Sequence, residues 1–171
     1  MNVSWNDAMA FCRWLTEKEQ KAGKLKENQR YRLPTDAEWS LAVGLKDEKG
    51  ATPKDKDEKI PGVYPWGRQW PPPKGAGNFA GSLGVDNFEE TAPVGSFKLN
   101  EQGFYDLSGN VWEWCDDSYD GRSDNRVLRG GSWSVGVSRY LLSSCRNHYY
   151  VPGDRSAYYG FRVMVMDSSA R

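Results

Sequence analysis

Histidine is nearly absent from this sequence: His148 is the only one. That excludes an HExxH zinc site and a His-rich iron site, and leaves a Ser-His-Asp triad only through His148. The three cysteines, Cys12, Cys115 and Cys145, form no CxxC pair and no even framework. A disulfide scaffold is therefore not expected, although one bridge stays open. No run of 18 apolar residues occurs, so no transmembrane helix is expected. Met1 is followed at once by Asn2-Val3-Ser4-Trp5, without a basic-then-apolar leader, so no signal peptide is expected in the chain as it stands. Charge of one sign is also missing: 23 Lys and Arg balance 23 Asp and Glu. This balance argues against a nucleic-acid or anionic-membrane surface as the main role.

What the sequence does have is length and rings. Its 171 residues, 38% hydrophobic and 27% charged, suit one soluble domain with a real core. Eight Trp, nine Tyr and six Phe accompany 18 Gly and nine Pro. That mixture predicts a loop-rich fold whose small elements are pinned by large side chains.

Ser4 with Asp7 fits a capping box, and Ala8, Phe11, Cys12 and Leu15 follow at helical spacing. Cys12 falls on that apolar face and reads as a buried small hydrophobe. Residues 17–30 are charged and contain Gly23, so the helix is expected to fray there. Tyr31-Arg32-Leu33-Pro34 reads as extended, and Thr35 with Glu38 forms a second capping box that opens a helix through Trp39, Leu41 and Ala42. Residues 46–59 mix both charge signs and are expected to form a mobile exposed loop. Beyond Pro61 helical periodicity stops, and Pro65-Trp66-Gly67 and Pro71-Pro72-Pro73 mark turns. Strand-like pieces are expected at 103–107, 111–115, 127–128 and 160–166, the last alternating Phe161, Val163 and Val165 with Arg162, Met164 and Met166.

Several phrases recur in the order seen in one family. They are Val3-Ser4-Trp5-Asn6-Asp7-Ala8, Arg32-Leu33-Pro34-Thr35-Asp36-Ala37-Glu38-Trp39, Tyr64-Pro65-Trp66-Gly67 and Thr91-Ala92-Pro93-Val94-Gly95-Ser96-Phe97. Then come Gly103-Phe104-Tyr105-Asp106-Leu107, Gly109-Asn110-Val111-Trp112-Glu113-Trp114, Arg129-Gly130-Gly131-Ser132-Trp133 and Gly160-Phe161-Arg162. Together they resemble the formylglycine-generating-enzyme, or sulfatase-modifying-factor, family. The resemblance implies an α+β fold of the C-type-lectin-like kind, loop-rich, with two helices and a twisted antiparallel sheet. It implies one such domain over residues 1–171, with the family's further N-terminal stretch missing before Val3.

Family members that oxidise a substrate cysteine carry two cysteines shortly after the Gly-Gly-Ser-aromatic motif, which bind copper. The corresponding positions here are Val135 and Tyr140. Thiolates suit soft Cu(I), and neither residue can replace one. The resemblance therefore implies no copper and no oxidase activity. Its calcium positions fall on Asn78, Phe79, Asp86 and Phe88, and on Asp106, Gly109, Val111 and Glu113. Calcium wants hard oxygens, which carboxylates, an amide and backbone carbonyls supply, so structural calcium is expected. The alternative is that these polar residues satisfy their own turns.

Residues 134–159 are compositionally odd. Where the family carries asparagine-rich runs, this segment has Ser, Val, Gly, Tyr, His and Ala. Randomising the two adenines of an AAC codon yields every residue except Lys, Glu, Gln, Met and Trp. None of those five occurs among these 26 residues, whereas they fill 37 of the other 145; composition alone predicts about six or seven. The pattern resembles the variable region of a diversity-generating-retroelement protein. Tyrosines amid small residues also resemble an antibody paratope, where rigid rings give contact area and Ser and Gly give fit.

The ligand-binding set expected is Ser134, Val135, Gly136, Val137, Tyr140, His148, Tyr149, Tyr150, Ser156, Ala157, Tyr158 and Tyr159, held by a frame of Trp133, Arg146, Arg155 and Phe161. The function implied is non-catalytic recognition of a protein ligand. The alternatives are a family oxidase or other enzyme, or a regulatory module of a larger protein. A cell-surface or virion setting would require a removed leader.

Overall fold

The computed structural model describes residues 1–122 and 124–169. Both expected capping boxes form. Ser4 accepts from the Asp7 amide while Asp7 reaches back to the Ser4 amide, starting α1 (Trp5–Lys21). Thr35 and Glu38 do the same for α2 (Asp36–Ala42). Between them lies β1 (Gln29–Arg32).

The expectation of two helices and a mobile loop at 46–59 is corrected. A third, one-turn helix, α3 (Pro53–Lys56), starts at a third capping box between Thr52 and Asp55, with Pro53 pre-setting the first turn. The segment is tied down: Glu48 and Asp57 both bond Arg146, about 90 residues on.

Four strands make the main sheet: β2 (Trp112–Ser118), β3 (Arg126–Arg129), β4 (Asn147–Tyr150) and β5 (Tyr159–Gly160), in the order β4-β3-β2-β5. The sheet is mixed, not antiparallel, because β5 runs parallel to β2. A separate antiparallel pair joins β1 to β6 (Met164–Asp167). The single strand expected at 160–166 is thus broken into β5 and β6, and 103–107 forms no strand.

Alternation along β2 and β3 sorts the core. Trp114 and Leu128, paired across the ladder, lie with Ala8 and Cys12 of α1 and with Leu33. Cys115 and Val127 point the other way, onto Trp39 of α2 and Val43 just after it. The sheet is therefore covered by α1 on one face and α2 on the other. A third cluster, Tyr64, Phe79 and Leu141, sits under the loops, and Val135 touches both it and the first. All three cysteines are buried and unbridged. Burial pushes the Cys145 thiol up to about 12.

One glycine is dictated by a close approach. Gly109 pairs with Asn78, and a Cβ there would lie 2.0 Å from the Asn78 carbonyl oxygen. Its φ of +70° is also one that other residues resist.

Candidate functional site

Two buried arginines, one shortly before the 134–159 segment and one in its middle, anchor it to the rest of the fold. Arg129 and Arg146 are both fully buried and share Asp36, the first residue of α2. Arg146 donates from Nε and Nη2 to the two Asp36 oxygens at 3.1 and 3.0 Å, and its Nη1 and Nη2 clamp Glu48 at 2.7 Å. Ser40 accepts from both guanidiniums. Burial alone would raise the Asp36 and Glu48 carboxyls, but the arginines outweigh it and hold both below their ordinary values. Two arginines against two carboxylates leave the group electrically balanced.

On this base the expected ligand-binding residues divide. Ser134, Val137, Tyr140, Tyr149, Ala157 and Tyr158 are exposed, Tyr149 most of all at 76%. Gly136, His148 and Ser156 are half-buried. Tyr158 leans on the half-buried Trp133, ring centroids 5.0 Å apart, and the Arg139 guanidinium covers the Tyr140 ring.

Three expected display residues belong to the core instead. Tyr159, only 6% exposed, packs edge-on against Trp114 at 5.4 Å. Tyr150 meets Tyr159 at 4.9 Å on the same sheet face, and Val135 packs between two core clusters. The cause is strand alternation: β4 and β5 turn Tyr150 and Tyr159 inward. Tyr149 is turned out by a bulge, because His148 and Tyr149 together stand opposite one residue of β3. His148 stacks flat on Tyr119 at 3.6 Å, and the Tyr119 hydroxyl donates to Asp57. Burial first, then Asp57, push the Tyr119 phenol well up.

Arg155 is also not a buried frame residue. It is exposed and pairs with Asp7 in the first turn of α1, at 2.7 and 2.8 Å, which holds the Asp7 carboxyl far below the usual range.

The first expected calcium group comes together. Asp86 accepts from the Phe79 and Phe88 amides, each at 3.0 Å, and so straps 78–79 to 86–88. Asn78 is fully buried; its amide donates to the Glu90 carbonyl, and its Oδ1 has no partner among the described residues. A buried side-chain oxygen without a donor, in the segment that Asp86 straps, is the kind of hard donor a cation takes.

The second group fits less well. Arg162 lies between its two acidic members, bonding both Glu113 oxygens at 2.6 Å and the Asp106 carbonyl at 3.2 Å. Trp39 donates to Glu113 as well. A guanidinium already neutralises the carboxylate that Gly109 and Val111 were expected to help offer a metal. Sequence reasoning missed this pairing, although Arg162 stands in the Gly-Phe-Arg phrase.

Comparison with known proteins follows the same lines. The family profile described as "Sulfatase-modifying factor enzyme 1-like domain" matches residues 1–166. "Inactive C-alpha-formylglycine-generating enzyme 2" of Bos taurus is 39% identical over 141 residues, covering 78% of this chain and 38% of that protein. "Formylglycine-generating enzyme" of Streptomyces coelicolor is 35% identical over 183 residues, covering 95% of this chain and 51% of that one. The chain thus spans between about a third and a half of the length of these relatives. Among solved structures, "Treponema denticola variable protein 1" superposes with a TM-score of 0.59 at 25% identity, over 97% of this chain and 70% of that one. The profile match and the shared α+β architecture together establish that this chain belongs to the sulfatase-modifying factor enzyme 1-like family, with the fold of the formylglycine-generating-enzyme type.

Proposed function

We propose that this protein is a non-catalytic binding protein, whose exposed positions within 134–159 recognise a protein ligand. The observation that carries the reading is the division of that segment. Exposed Tyr140, Tyr149 and Tyr158, mixed with Ser134, Val137 and Ala157, stand on a base held by the buried Arg146–Asp36–Arg129 group. Rigid rings on a rigid base give large contact area at low entropic cost. By the resemblance, Val135 and Tyr140 stand where the family's oxidases carry their cysteine pair, and neither side chain can hold copper. Similarity to a relative named inactive, and to a structure named a variable protein, supports the same reading.

The codon-restricted composition of 134–159 supports diversification by a retroelement. The test is genomic: a neighbouring reverse transcriptase gene with a near-identical copy of the segment as template is expected. A locus with neither would contradict diversification, while leaving the binding surface in place. Structural calcium is proposed at Asn78 and Asp86, with the main-chain carbonyls of Phe79 and Phe88 available to complete the set. No membrane crossing is assigned, since no helix among the described residues is long and apolar enough for one.

A further inference from the structure

Tyr149 is the most exposed tyrosine of 134–159, and among the described residues its ring meets one other ring. That ring is its neighbour His148, at 4.2 Å between centroids with the planes tilted by 36°. The Tyr149 side chain has no hydrogen bond or ion pair among the described residues. An exposed side chain without an anchor samples several rotamers, so whatever fixes His148 also fixes the direction of Tyr149.

His148 is fixed from beneath. Its ring lies flat on Tyr119, with 3.6 Å between centroids and 5° between planes. Its Nδ1 lies 2.9 Å from the Arg146 carbonyl oxygen, and its side chain is only 18% exposed. Tyr119 is in turn held at three points. Its amide donates to the Asn125 carbonyl at 2.9 Å, its carbonyl accepts from the Lys54 amide of α3 at 2.9 Å, and its hydroxyl donates to Asp57 at 3.0 Å. The other Asp57 oxygen accepts from the Arg146 amide at 2.7 Å. A connected series of contacts thus runs from Asp57, just after α3, through Tyr119 and His148 to Tyr149 at the surface.

Of these four residues only His148 and Tyr149 belong to 134–159. We infer that Tyr119 is a positioning residue of the binding surface proposed above: it holds the His148 ring flat, and His148 sets the direction in which Tyr149 is presented. The inference rests on that proposed surface. Position 148 then acts on specificity from beneath the ligand. A planar side chain there keeps Tyr149 aimed, and a small one such as serine releases it. A ring aimed before binding has less freedom to lose, which favours affinity by about threefold to tenfold.

The test needs no ligand, so it reports on the platform whether or not 134–159 binds a protein. The intact chain is labelled with 3-fluorotyrosine at its nine tyrosines, and the Tyr149 fluorine resonance is assigned by its loss in Tyr149→Phe. In the parent this resonance should be shifted by the His148 ring current and broader than that of tyrosine in an unstructured peptide. Tyr119→Leu removes a ring that has no ring contact with Tyr149 among the described residues, yet it should narrow the Tyr149 line towards the peptide's. Tyr119→Met is the second variant, should the first not fold. His148→Ser should narrow the line equally, and His148→Phe, which restores a flat ring, should broaden it again. A Tyr149 line as narrow and unshifted in the parent as in the peptide would overturn the assignment. So would a line that the folded Tyr119 variant and His148→Ser leave unchanged.

Discussion

Arg146 and Asp36 lie 110 residues apart in the chain and meet as a buried, two-pronged ion pair. The pair fastens the approach to β4, which carries Tyr149, to the first turn of α2. The proposed binding surface needs such a base, since its own exposed side chains contribute little to stability. Removing one partner strands the other charge in the interior. Arg146→Ala is therefore expected to cost about 3–5 kcal/mol. Arg155→Ala, which breaks only an exposed pair, should leave chemical-denaturation midpoints almost unchanged. Equal losses would show that burial does not separate the two arginines as described.

Burial also separates neighbouring tyrosines. Tyr159→Asn removes a ring packed on Trp114 and should cost roughly 3 kcal/mol or more. Tyr149→Asn and Tyr158→Asn should each stay within about 0.5 kcal/mol. Thermal unfolding of the three variants beside the parent decides the matter; a destabilised Tyr149→Asn would place that ring in the core.

Acid should unfold the protein through its paired carboxylates. Glu38 bonds Arg32 at 2.6 Å, which lowers its carboxyl to about 2 from 4.5, and Asp36 and Glu48 are lowered too. Carboxyls depressed on folding contribute fully above their unfolded values and lose that contribution as pH falls through the folded ones. The melting temperature should hold down to about pH 5 and drop steeply towards pH 2. Glu38→Gln should flatten part of that drop. A profile equally steep with and without Glu38 would remove the pair from the account.

Calcium at Asn78 and Asp86 should raise the melting temperature, since metal that binds only the folded state stabilises it by linkage. Metal analysis of the purified protein, followed by melting with and without chelator, measures this. Metal-free protein whose melting curve ignores added calcium would contradict the site.

Much of this was legible locally. The Ser4–Asp7 and Thr35–Glu38 boxes are four-residue signals, and both helices start where they predict. The missed features depend on distant partners. Residues 46–59 look solvated because their charges alternate, yet Glu48 is claimed by Arg146 across 98 positions. Glu113 looks like a metal ligand until Arg162 arrives from 49 residues away. Tyr149, Tyr150, Tyr158 and Tyr159 are identical in type, and only the bulge in β4 and the register of β5 decide which point outward.

Selection from randomised libraries tests the binding reading most directly. One library varies Ser134, Val137, Tyr140, Tyr149, Ala157 and Tyr158; the other varies six exposed positions on α1 and the 17–30 segment. Both are displayed and selected against a single arbitrary protein, such as lysozyme. The first library should yield specific binders that keep the parent's melting temperature, and the second should yield few or none. Equal yields from the two libraries, or binders from the first only among unfolded variants, would contradict a ligand-binding surface at 134–159.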